Sequence, residues 1–175
     1  MPIEQTLEKV EQDIASGDCG KARDRLHGLI ATYPNNLALR RKLGDVYWQL
    51  QYPAMAGRYW YLEESKSPDM IAACKVFEES CGHSSFQTLL ALKFQGDLES
   101  IDSEFAKDRL LTLQTQVKNE YGYFVDFQKH GAEKYKWTPR SKTRGRVSTI
   151  GCVAAVVLGI ALMLIGLSTV IDWLL

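Results

Sequence analysis

At 175 residues, with 24% charged and 46% hydrophobic side chains, the chain has the length of one compact domain plus a short appendage. Its 21 basic and 21 acidic residues cancel overall but not locally: residues 1–133 hold fifteen Lys/Arg against twenty Asp/Glu, whereas residues 134–146 hold six basic residues and no acid. An acidic body lacks the basic face that phosphate neutralisation requires, which argues against nucleic acid as its partner. Cys19, Cys74, Cys81 and Cys152 form no Cys-x-x-Cys pair, which argues against a disulfide framework or a zinc site.

The N-terminus carries Glu4, Glu8 and Glu11 where a secretory signal needs an apolar core, so the body is expected in a reducing cytoplasm. Ile3, Leu7, Val10 and Ile14 recur at helical spacing, and Gly17 breaks the run. Ala22, Leu26, Leu29 and Ile30 predict a second helix. Leu39, Leu43, Val46 and Leu50 predict a third, and Pro53 opens a fourth with Ala56 and Trp60. Met70, Ala73, Cys74, Phe77 and Cys81 share one face of a fifth helix, with Ser67 as its cap and Pro68 in its first turn. A sixth follows, with Ser84 and Gln87 at capping-box spacing and Gly96 as its stop. A longer helix is expected from Asp102, its cap, to Tyr121, with Ala106, Leu110, Leu113 and Val117 inward and Gly122 ending it. No window alternates well enough to predict a strand. "YFVDFQKHGAEKYKW" is compatible with a short helix or with an extended segment on the body, and Pro139 to Gly145 reads as a tether.

Overlaying the segments exposes a period. Ala22 and Ala56 are 34 residues apart, as are Pro34 and Pro68. Leu43-Gly44, Tyr47, Ala56, Trp60 and Pro68 resemble the tetratricopeptide repeat, and Gly17, Ala22, Leu26 and Pro34 resemble a partial first copy. The resemblance implies helical hairpins stacked over residues 1–121, with Gly44 and Ala56 letting paired helices touch. The chain also resembles a divergent bacterial family of such proteins, and its layout looks like that of a mitochondrial fission adaptor. By the same resemblance the first helix of each hairpin lines a concave groove. Arg41, Asp45, Trp48 and Gln49 would then face it, joined by Lys75 and Glu79. The alternative for Trp48 is packing beneath the C-terminal segment. Asp45 stands where relatives that clamp a peptide carboxylate carry asparagine, so a free C-terminus is not the expected ligand.

No catalytic arrangement is visible. His27, His83 and His130 lie on separate segments, and there is no phosphate-cradling glycine loop, Gly-x-Ser-x-Gly or His-Glu-x-x-His. Cys74, Cys81 and His83 lack a fourth ligand and two of them lie on an apolar face, so neither metal nor cofactor is expected.

Val147 to Ile171 is uncharged for 25 residues. As a helix it would span about 37 Å, against a hydrocarbon core of about 30 Å, so a transmembrane helix is predicted over 147–171. Lys134, Lys136, Arg140, Lys142, Arg144 and Arg146 precede it as a basic neck within a connecting segment, 122–146, which places the body on the cytoplasmic side. Gly151, Ala155 and Gly159 share a face of small residues through which two spans can pair as a homodimer.

These readings predict an all-α, tetratricopeptide-like stack followed by a single-pass tail anchor. The expected function is non-enzymatic: a membrane-tethered adaptor for a protein partner, on a bacterial inner membrane by the family resemblance. The alternative is a subunit or assembly factor of a membrane complex, recognised through its span.

Overall fold

The computed structural model describes residues 3–129 and 131–138, all within one compact unit. Seven α-helices are present among them: α1 (Ile3–Ala15), α2 (Cys19–Thr32), α3 (Leu37–Gln49), α4 (Pro53–Trp60), α5 (Pro68–Ser80), α6 (Ser85–Leu92) and α7 (Glu104–Tyr121). Two short strands follow, β1 (Tyr123–Val125) and β2 (Tyr135–Trp137). The predicted span and the residues from Pro139 onward lie outside the described residues. Among the described residues no helix is long and apolar enough to cross a membrane.

The helices start where local chemistry permits. The Asn36 side chain accepts from the Leu39 amide, and Ser67 accepts from the Met70 amide, each at 3.3 Å. Ser84 accepts from the Gln87 amide, as its spacing predicts. Each bond satisfies one of the donors that a helix N-terminus leaves without an intrahelical partner. Pro53 and Pro68 open α4 and α5, where a missing N–H costs nothing. Gly17 and Gly122 take left-handed φ values of 82° and 74° as α1 and α7 end.

Hairpin follows hairpin with a repeat in its geometry. α3 begins 34 residues after α1, and α4 begins 34 residues after α2. Each helix from α1 to α4 packs on its successor, and α4 lies closest on α5. There a Cβ on Gly57 would overlap the Ala73 carbonyl, and the Cys74 thiol donates to the Gly57 carbonyl at 3.5 Å. Between α3 and α4, Gly44 plays the equivalent part, since a Cβ would come within 2.5 Å of the Trp60 ring. The inward residues predicted for α5 and α7 are all buried. α7 packs on α6, and its Arg109 donates to the Tyr61 hydroxyl at 2.7 Å and pairs with Glu78 at 3.2 Å.

Three expectations need correction. The stop of α6 is not Gly96: the helix ends at Leu92, with Lys93 left-handed at φ 45°. The cap of α7 is Ser103, whose hydroxyl accepts from Ala106, rather than Asp102. The third concerns a boundary: of the two readings open for residues 123–137 the extended segment on the body is the one present, so the body runs to Thr138 rather than to Tyr121. β1 and β2 pair antiparallel with Phe124 opposite Lys136, while Val125 and Phe127 are buried. The Phe127 carbonyl accepts from Gly96, and Gln114 of α7 donates to the Val125 carbonyl. Three-residue strands are too short to leave an alternating pattern, which is why the sequence predicts no strand there.

Candidate functional site

The α3 residues assigned to the groove form a connected surface. Arg41, Asp45 and Gln49 recur every four residues and are exposed, and Trp48 is half-buried beside them. Trp48 leans on Trp60, ring centroids 5.8 Å apart. The Trp60 indole N–H donates to the Asp45 carboxylate at 3.0 Å and to the Arg41 carbonyl at 3.2 Å. One α4 side chain therefore fixes three positions of the α3 face. The Asp45 carboxyl sits against this indole, and its partial loss of water pushes its pKa above the ordinary range, opposed by the Trp60 hydrogen bond. Arg41 reaches Glu63 at 3.4 Å, and Gln49 accepts from the Cys19 thiol at 3.2 Å. Lys75 and Glu79 are exposed on α5, but no side-chain bond joins them to the α3 set among the described residues.

The basic neck divides. Lys134 is 6% exposed and donates to the Phe94 carbonyl at 2.6 Å, and Lys136 pairs with Asp126 at 3.4 Å. Lys134 is therefore taken up by the body, whereas Lys136, on β2, stays largely exposed beside Asp126. Arg140, Lys142, Arg144 and Arg146 lie outside the described residues, as do Gly151, Ala155 and Gly159.

Sequence reasoning missed a second feature, a cavity of about 670 Å³ bordered by α2, α4 and the chain that follows α6. Arg40 of α3 and Arg58 of α4 line it. The available signal was positional: Arg40, Leu43 and Tyr47 form one stripe at i, i+3, i+7, and a charged residue in an inward stripe is unusual.

A family model described as "Family of unknown function (DUF6584)" matches residues 1–172. The chain belongs to that family. No curated protein and no solved structure matches it. The family match runs through both the helical body and the uncharged segment after it.

Proposed function

We propose that the chain is a tetratricopeptide-like adaptor, tethered to a membrane by residues 147–171, that binds a protein partner on the cytoplasmic side through the α3 face. The observation that carries this reading is the Trp60-anchored set of Arg41, Asp45 and Trp48. Tryptophan and arginine on a preorganised surface are the residue types that dominate binding energy at protein interfaces. The 34-residue offset between successive helices and the close approaches at Gly44 and Gly57 support the repeat resemblance. The tether would raise the effective concentration of the adaptor near membrane-resident partners.

The test is proximity labelling in membranes with wild type, Trp48→Ala and Arg41→Glu, with circular dichroism as the check on folding. Capture of the same proteins should fall about tenfold or more in either variant, as for loss of a hot-spot side chain. Unchanged capture by two folded variants would remove the groove assignment. A second reading, recognition through the span at Gly151, Ala155 and Gly159, is supported by the extent of the family match. Exchanging residues 147–171 for an unrelated apolar helix abolishes function under that reading and leaves it intact under the first.

A further inference from the structure

Arg40 is 3% exposed, and its Nη2 donates to the Leu92 carbonyl at 2.8 Å. Its Nε is buried without a hydrogen-bond partner among the described residues, and no carboxylate pairs with the guanidinium there. Arg58 repeats the situation: its Nε is likewise sealed and unbonded. The two guanidinium carbons stand 5.3 Å and 5.0 Å from the centre of the same Tyr59 ring. Lys134 adds a third buried or half-buried cation behind them, its charge disfavoured by burial and then by Arg40. Burial pushes the Arg40 pKa down to about 10, and burial followed by the Arg58 charge pushes His27 down.

Arginine is almost never fully buried unless paired. A buried charge without a counter-ion is costly, and an apolar residue of similar volume usually serves stability as well or better. Packing on Tyr59 and the bond to Leu92 account for part of the Arg40 guanidinium. They supply no counter-charge, and because both Nε atoms are closed off by protein only the guanidinium ends can meet the cavity. Arg40, Arg58 and Lys93 line the cavity, and Asp97 is its single lining carboxylate among the described residues. Asp97 is already engaged by the Gln128 amide at 3.1 Å and the Glu99 backbone N–H at 3.2 Å. Three cations against one carboxylate leave room for a dianion. Across the cavity, Ile30, Met55 and Phe127 offer an apolar wall. A volume of about 670 Å³ lies within the range that holds small organic ligands.

We infer that this cavity binds a phosphate monoester, its dianionic phosphoryl group facing the terminal guanidinium nitrogens of Arg40 and Arg58 with Lys93 beside them, and its organic part against Met55 and Phe127. Arginine suits the task because its fixed donors match phosphate oxygens and its charge does not titrate away. The site is independent of the α3 face, so a phosphate-binding protein with or without a protein partner is a separate outcome.

The experiment is thermal unfolding of the full chain in phosphatidylcholine nanodiscs, titrated with glycerol 3-phosphate against sodium chloride at matched ionic strength. A parallel arm replaces part of the lipid with phosphatidate, so that a phosphoryl group carried by lipid is distinguished from a soluble one. Wild type should show a saturable rise in Tm with one of the two phosphate sources. Arg58→Gln should weaken the apparent affinity at least tenfold, and Arg40→Met should abolish the response while unfolding no earlier than ligand-free wild type. If Arg40→Met does not fold, Arg58→Gln and Lys93→Gln carry the test. A Tm response that chloride reproduces, or that persists unchanged in Arg58→Gln and Lys93→Gln, overturns the assignment.

Discussion

The stretch from α3 to α5 and the stretch from α6 to β2 hold themselves together in different ways. In the first, small residues let backbones approach: Gly44 under Trp60 and Gly57 against Ala73, with aromatic rings filling the remaining space. In the second, polar side chains reach backbone carbonyls across the fold. Lys134 donates to Phe94, Gln114 to Val125, and the Thr138 hydroxyl to Gly122 at 3.1 Å. Close-packed helices tolerate little change in volume, whereas a closing segment stitched to carbonyls depends on the integrity of each bond. Shape holds the stack, and hydrogen bonds close it.

The closing segment supplies the largest expected effect. A chain ending after Gly122 loses buried Val125 and Phe127, each worth about 1.5–3 kcal/mol on burial, less the ordering entropy it no longer pays. Urea unfolding should therefore place it several kcal/mol below a chain ending after Thr138. Equal midpoints would return residues 123–138 to the role of a connector. Next in size is Gly57→Ala, which forces α4 from α5 at a backbone contact that cannot rotate away. It should cost about 1–3 kcal/mol, as for overpacking a tight interface. A loss within about 0.5 kcal/mol, the range of a neutral surface change, would mean that α4 and α5 slide apart freely.

The same contrast decides what was legible in the sequence. Ser67 and Ser84 cap as their spacing predicts because capping is local, and the Ala106, Leu110, Leu113 and Val117 stripe of α7 needs only a helical period. The 34-residue recurrence of helix starts was visible from Ala22 and Ala56 alone. Lys134 was not legible. It belongs to a stretch of scattered basic residues without an acid, and only the fold of the closing segment turns it inward onto the Phe94 carbonyl. For the α3 face, helical spacing sufficed to bring Arg41, Asp45 and Trp48 together, but the bond from Trp60 that fixes them depends on how α4 crosses α3. Arg40 was overlooked because arginine is ordinarily a surface residue, and its neighbour Arg41 is one.

The smallest expected effect probes that face. Asp45 accepts from Trp60 with a carboxyl whose pKa is raised, chiefly by desolvation. A raised carboxylate pKa means that the folded state binds the proton more tightly than the unfolded state. The resulting penalty is absent below the unfolded value, near 3.8, and develops as the pH rises through the folded one. An asparagine in place of Asp45 would still accept from the indole through its amide oxygen without carrying a desolvated charge. Asp45→Asn should therefore match wild type at about pH 3 and gain slightly at about pH 7, by less than about 0.5 kcal/mol because the site is open to water. Denaturation midpoints measured across that range check the sign. A variant that loses stability at neutral pH would show that the Asp45 charge, drawn toward Arg41, supports the α3 face more than its burial opposes it, and the anchor by which Trp60 organises that surface would then be an electrostatic one.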